Sequence, residues 1–474
     1  MVRQTGHALH SAPSAPTAAA DGPLMLNSHP GGSSGTAPSG RSRGGQRGVT
    51  LLLAALLLSL WLAMLPGSLR ALAQPQPTTV RVLMPSPFVD ATAPLVADFN
   101  REHSDLRIEV ARGPLDTEAM SDLAIGSLLL GATPYDLLLM DVSWTARYVA
   151  AGWLEPLEAL LGEDALDAML PGARLGNGFG GHLWRMPLTG DTGLLYWRTD
   201  LMDGPPSSTE ELERIAERLQ RQGKVRWGYV WQGRQYEGLS CVMLEAIHAF
   251  GGRWWQPDEG RAGGRSELDS PGAVRAAAWL EALVRRGISP PAVADFAENE
   301  ALQLFAAGDA AFLRNWPYAW REIEKGGGPV VGKVGVSPVV SAAGERSGGT
   351  LGTWGLSLLK GSAHPQQAAE VIRWFTGPET QKALVLDQGY APTWAALYDD
   401  PELQRRHPLL EVQRQALEQG PLVRPLTPLY AQLSDLLQRQ VNGMLTSPRP
   451  AEIAMATAQK QSEVLLASAA GETP

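Results

Sequence analysis

VRVLM (80–84), ATAPLVADFNRE (91–102), LRIEVA (106–111), TEAMSDLAIGSLLL (117–130) and YDLLLM (135–140) follow one another with only short breaks. The first, third and fifth are β-branched or aliphatic runs of strand length, and the second and fourth carry apolar residues at helical spacing. Strands alternating with helices of this length predict a parallel α/β layer whose sheet is buried on both faces. Working outward, further strands are expected at 194–197, 226–230, 310–312 and 334–336, and helices at 208–222, 239–250, 271–286 and 364–375. From 394 onward the chain reads as nearly all helix, with breaks at 420–428 and 447–450. No internal repeat or heptad array appears.

Upstream of this layer the chain changes character. Residues 1–48 form a leader rich in Ser, Ala, Gly and Pro, without the apolar side chains that offset the entropy of ordering. Arg41, Arg43 and Arg47 then precede the apolar run VTLLLAALLLSLWLAML (49–65), and Ala71-Leu72-Ala73 stands before Gln74. A basic cluster, an apolar stretch and a small-residue site in that order read as a Sec signal peptide over 49–73. The alternative is an uncleaved membrane anchor, since the run is a little shorter than the roughly 20 residues that span a bilayer. No cysteine follows the run to take a lipid, and Ser42 separates the arginines that a twin-arginine signal would pair. The expected product is exported.

Composition excludes several classes. With 44% hydrophobic and 19% charged residues in 474, the chain can bury a large core. Its formal charge is −9, and the leader's arginines make the remainder more acidic still, opposite in sign to the usual nucleic-acid binder. Cys241 is the single cysteine, so no intramolecular disulfide and no Cys-rich metal site is expected. No metal or cofactor is expected either. The sequence has no G-x-S-x-G elbow, H-E-x-x-H helix, P-loop or complete G-x-G-x-x-G loop. GNGFGG (176–181) reads as a hairpin, and His182 and His248 as structural histidines.

Tryptophan is unusually frequent, 15 of 474. Trp231, Trp254, Trp255, Trp316 and Trp354 stand beside glycine or proline at strand ends, which points to surface-facing positions. An indole is flat and apolar, fits the C–H face of a pyranose and keeps an N–H free to donate. Two carboxylates occupy comparable places. Asp141 follows the strand YDLLLM, at the carboxyl end where open α/β sheets bind ligands, and Asp191 lies in TGDTGLL. Either could accept sugar hydroxyls, serve as a cap or turn residue, or act as one of the paired carboxylates of a glycoside hydrolase.

The segments DTGLLYWRTDL (191–201), GYVWQGRQYEGLSCVMLE (228–245), AAFLRNWPYAW (310–320), KVGVSPV (333–339), TLGTWGLSLLKGSAHPQQAAEVIRWFTGPETQKAL (350–384) and GYAPT (389–393) together resemble the family 1 extracellular solute-binding proteins of ABC sugar importers, in particular their trehalose/maltose-binding branch. The resemblance implies a two-lobed periplasmic binding protein fold (type II-like) with crossovers between the lobes and a helical C-terminal segment. Lobe 1 would hold 78–190 and 340–393, and lobe 2 would hold 191–339 and 394–470. It further implies that Asp141, Asp191 and Arg424 bond sugar hydroxyls, that Trp316 and Trp354 stack on the rings, and that the Thr353 backbone lies beside them. Leu115 and Met120 stand where that branch has a hydroxyl residue and an arginine. Asp90 and its neighbours supply no early glutamate, and Thr189 replaces a tyrosine. Fewer polar contacts at that end point to a second ligand unit smaller or less hydroxylated than glucose. The implied ligand is a disaccharide or glucosylated polyol (trehalose, sucrose, maltose or glucosylglycerol, the last favoured), and the implied partners are an ABC permease and its ATPase. The protein is expected to be a periplasmic monomer that performs no catalysis.

Overall fold

The computed structural model describes residues 76–131, 134–257 and 264–471. The leader, the apolar run and the Ala71-Leu72-Ala73 site lie outside them. No helix among the described residues is long and apolar enough to cross a membrane.

The run that opened the sequence reading becomes the middle of the first sheet. Leu137–Asp141 is buried along its whole length, as expected for a strand covered on both faces. Thr78–Pro85 pairs in parallel with it and with Leu106–Gly113, Thr78 opposite Leu106 through to Pro85 opposite Gly113. The next neighbour corrects the all-parallel expectation. Trp354–Leu359 inserts antiparallel between Leu137–Asp141 and the short strand Leu154–Glu155, with Trp354 opposite Asp141. In sequence that stretch is a short apolar run bounded by glycine and lysine, which periodicity cannot separate from a helix segment. Its strand partner lies far away in the chain. The helix Ser86–Glu102 starts earlier than expected, with proline in its first turn, and Asp116 caps Thr117–Leu129 by accepting from Ala119 N at 3.0 Å.

The second sheet runs Val334–Pro338, Leu194–Arg198, Ala310–Asn315, Trp227–Val230, and only its last pair is parallel. Thr209–Arg221 and Glu298–Ala306 pack on it, Glu237–Ala249 pairs with Pro271–Arg285, and of the C-terminal helices Tyr430–Thr446 packs on both of that pair and Ala451–Ala469 on Pro271–Arg285. The fold is therefore a two-lobed α/β architecture, each lobe with its own sheet and core. Between the sheets the crossing segments form isolated bridges: Met169 with Trp394, Thr192 with Leu351, and Thr350 with Leu422. Leu403, Leu410 and Leu417 share a buried cluster with Val142, Leu170 and Val385. The stretch after 394, expected with lobe 2, thus also shares a core with lobe 1 elements. GNGFGG forms the expected hairpin, Gly178–Phe179 against His182–Leu183.

Two indoles expected at the surface are not there. Trp231 and Trp254 are fully buried in the second-lobe core: Trp231 donates its Nε1–H to Ser289 Oγ at 3.1 Å, and Trp254 packs against Tyr430 of the C-terminal helix Tyr430–Thr446 at 6.0 Å.

Candidate ligand-binding site

The ribbon Thr350–Leu351–Gly352–Thr353–Trp354 leads into the antiparallel strand of lobe 1, and most of the polar groups singled out above converge on it. Thr350 N donates to Glu245 Oε1 at 2.9 Å and its hydroxyl to Cys241 O at 2.9 Å, both on the second-lobe helix Glu237–Ala249. Leu351 N donates to Leu422 O, and Gly352 N to the backbone oxygen of Asp191. Thr353 O accepts from Val142 N at 3.1 Å. Gly352 is required by a close approach: a Cβ there would stand 2.6 Å from the Trp316 ring. The same glycine immediately precedes Thr353 and Trp354, so the indole of lobe 2 lies against the segment that carries the indole of lobe 1.

Both indoles are half-buried. Trp316 follows the strand Ala310–Asn315. Its Nε1 donates to Glu298 Oε1 at 3.1 Å, and the Arg314 guanidinium lies 4.1 Å from its ring centroid. Arg314 is held in turn by Glu245 through bonds of 2.9 and 2.5 Å. That pair is fully desolvated on the arginine side, so Trp316 rests on a fixed cation. Trp354 packs edge-on against Trp144 at 5.6 Å and tilted against Phe88 at 5.5 Å.

Between the lobes runs a chain of buried charges. Arg424 donates to Asp141 at 2.8 Å, to Glu237 at 2.7 Å and to Leu351 O at 3.2 Å. Asp141 also accepts from Ser143 N and Ser143 Oγ, at 2.8 and 2.5 Å. Glu237 also accepts from the Tyr430 and Ser434 hydroxyls. One guanidinium thus bridges a carboxylate at the carboxyl end of a lobe 1 strand and one at the start of a lobe 2 helix. Two more bonds join the lobes nearby. Glu118 accepts from Glu237 N at 2.7 Å, and Asp116 pairs with Arg234 at 3.6 Å. Desolvation, followed by the Glu237 charge, pushes Glu118 up to about 7.

Asp191 is positioned differently from Asp141. Its Oδ1 accepts from Ala391 N at 2.9 Å, which ties one crossing segment to another. Burial pushes its carboxyl up to about 7 against the opposing effect of bonds from Ala391 N and the Thr189 hydroxyl. Thr353 is fixed from below: the buried Arg185 donates to its backbone oxygen at 2.6 Å and its hydroxyl at 2.7 Å.

Asp141, Trp316, Thr353, Trp354 and Arg424 therefore converge on one ribbon, with Asp191 attached through its backbone. Leu115 is 62% exposed, next to the Asp116 cap. Met120 is a correction. It is fully buried among Leu83, Leu138 and Tyr148, with its thioether over Gly113, so its side chain fills the lobe 1 core and cannot line a groove. Sequence reasoning passed over Glu237, Glu118, Arg185 and Arg314. Glu237 was within reach of the rule that selected Asp141, since it stands a few residues beyond the carboxyl end of Trp227–Val230. The others carried no local signal.

The geometry agrees with comparisons to known proteins. Residues 86–382 match the family model of the bacterial extracellular solute-binding proteins. The chain is 32% identical over 359 residues to a probable ABC transporter-binding protein of Deinococcus radiodurans, covering 73% of this chain and 84% of that one. It is 25% identical over 333 residues to the maltotriose-binding protein of Pyrococcus abyssi, covering 70% of each. Among solved structures, maltose-bound MalE3 of T. maritima superposes with a TM-score of 0.75 at 31% identity, over 82% of this chain and all of that one. A family match across most of the chain, a relative above 30% identity and a shared two-lobed fold lead to one conclusion: the chain belongs to the bacterial extracellular solute-binding proteins of ABC importers.

Proposed function

We propose that the chain captures an α-glucoside in the periplasm by closing its two lobes over the ligand, and delivers it to an ABC permease without chemical change. The observation that carries this reading is the meeting of two half-buried indoles, one from each lobe, across Gly352. Beside them a single arginine is clamped by acids from both lobes. Flat apolar faces match the C–H faces of a sugar ring, and charged groups on both sides match its hydroxyls. A hydroxyl left unmatched in such a desolvated site costs about 1–3 kcal/mol, so specificity follows the hydroxyl pattern. The carbohydrates bound by the P. abyssi relative and by the T. maritima neighbour support the same class.

With Met120 in the core, the argument for a reduced second ligand unit is weaker and rests on Leu115, Asp90 and Thr189. Trehalose, sucrose and maltose therefore stand beside glucosylglycerol as ligands. Titrating the purified chain with these four in calorimetry, with a parallel reducing-sugar assay, tests the reading. Saturable binding of at least one with no sugar released is expected. Absence of binding to all four would overturn the α-glucoside assignment, and release of reducing sugar from a non-reducing ligand would turn the reading to a glycosidase using Asp141 and Asp191.

A further inference from the structure

The carboxylate of Glu245 stands where the supports of both half-buried indoles meet. It is buried in the C-terminal half of the helix Glu237–Ala249. Its Oε2 accepts from Arg314 Nε at 2.9 Å and its Oε1 from Arg314 Nη2 at 2.5 Å. Two parallel bonds of this kind restrict a guanidinium to one orientation. The same Oε1 also accepts from Thr350 N at 2.9 Å. Arg314 is fully buried and is held from its other side by Gln232, whose Oε1 accepts from Nη1 at 3.3 Å and whose Nε2 donates to Arg314 O at 3.0 Å.

Each branch from Glu245 ends at an indole. Through Arg314 it reaches Trp316, whose ring centroid lies 4.1 Å from the guanidinium. Through Thr350 it reaches the ribbon that passes Gly352 and ends in Trp354. A second crossing segment arrives at the same point. Gly193 N donates to Thr350 O at 3.1 Å, and a Cβ on Gly193 would overlap both the Glu245 carboxylate and the Arg314 guanidinium. A buried ion pair is often no more stabilising than apolar residues of the same volume, so stability alone does not account for a charged pair where two crossing segments and two indole supports come together.

We propose that Glu245 is a positioning residue for sugar capture: through Arg314 it fixes the face of Trp316, and through Thr350 it fixes the ribbon that carries Trp354. One carboxylate thereby sets the spacing of the two stacking faces. Glu245 itself meets no ligand, being covered by Arg314, Thr350 and Gly193. The inference rests on the α-glucoside reading given above.

The test compares the full parent chain with Arg314→Met alone, with Arg314→Met plus Glu245→Gln, and with Arg314→Met plus Glu245→Met. Urea titration, tryptophan emission and calorimetry are read on each, the last with whichever of trehalose, sucrose, maltose and glucosylglycerol the parent binds. Arg314→Met alone strands the carboxylate and should lower the urea midpoint, and adding Glu245→Gln removes the stranded charge and should recover most of that loss. Sugar affinity should not recover with it, staying about tenfold below the parent because the desolvated cation beneath Trp316 is gone. The double variant with Glu245→Met, which offers Thr350 N no acceptor, should bind about threefold more weakly still. Tryptophan emission should change in the double variant with Glu245→Gln, and that change should vanish when Trp316→Phe is added, which reads the ring's position without a ligand. Affinity that returns together with stability would overturn the proposal and leave the pair a purely structural one. Equal affinity of the two double variants would overturn the Thr350 branch, and an emission change that is absent or survives Trp316→Phe would overturn the Trp316 branch. A parent chain that binds none of the four sugars would overturn the α-glucoside reading instead, and the emission comparison would still decide whether the pair positions Trp316.

Discussion

Replacing Arg424 with methionine separates closure of the lobes from folding of the lobes. The guanidinium is 2% exposed and serves Asp141 and Glu237, themselves 6% and 13% exposed on their side chains. Methionine keeps most of the volume but leaves two carboxylates buried side by side without their cation. Removing one partner of a buried ion pair costs about 3–5 kcal/mol, and here a single cation serves two acids. Asp141 belongs to lobe 1 and Glu237 to lobe 2, so opening the lobes lets water reach both, and the cost falls on the closed form. If closure accompanies binding, a cost of about 4 kcal/mol lowers sugar affinity by roughly a thousandfold. The melting temperature of the ligand-free chain should fall by only a few degrees. Calorimetry with maltose and a thermal melt measure the two quantities on one preparation. Affinity within threefold of the parent would refute the reasoning, as would a collapse of the melting temperature at unchanged affinity, which would mean that Arg424 acts within a lobe.

Trp316→Ala removes one stacking face and should weaken sugar binding at least tenfold in calorimetry, a ring's apolar contact being worth on the order of 1.5–3 kcal/mol; unchanged affinity would end its stacking role. Gly352→Ala places a methyl against the Trp316 ring, so tryptophan fluorescence should shift and affinity fall while the melting temperature stays within about 3 °C, because no core residue is displaced. Arg314→Met strands Glu245 at 6% exposure and should destabilise lobe 2 by about 3–5 kcal/mol in a denaturant titration. One pH-dependent contribution comes from Asp191, whose carboxyl is raised to about 7 by burial. The folded chain keeps a proton there that the unfolded chain gives up near pH 4, so this contribution to stability is present at low pH and is lost as pH rises towards about 7, by at most about 4 kcal/mol. Asp191→Asn should therefore gain stability over the parent at about pH 8 and much less at about pH 4.5; equal gains at both would refute the assignment. His407 works in the opposite sense. Burial lowers it to about 4, so its contribution is lost as pH falls from about 6.5, and His407→Gln should flatten the acid limb of the stability curve.

How much of this molecule its sequence reveals varies with the range of the interaction. The strand at Leu137–Asp141 and the helix at Thr117–Leu129 are legible because burial pattern and capping act within one element. The strand-end positions of Trp316, Trp354 and Asp141 are legible from the apolar runs beside them. Trp254 has the same local setting as Trp255 but is buried, since the C-terminal helix that roofs it is remote in the chain. Met120 is the same kind of case: its place in a helix says only which face it shares, and the sheet beneath decides that this face is core.

The sequence by itself determined the α/β class, the absence of a cysteine framework and the placing of indoles and acids at strand ends, because these depend on local periodicity and composition. Only the tertiary structure decided that Trp354–Leu359 enters the first sheet antiparallel, that Arg424 bridges Asp141 and Glu237, and that Asp191 ties two crossing segments together. The physical reason is that strand pairing and the desolvation of a charge depend on groups far apart in the chain, and folding brings those groups together.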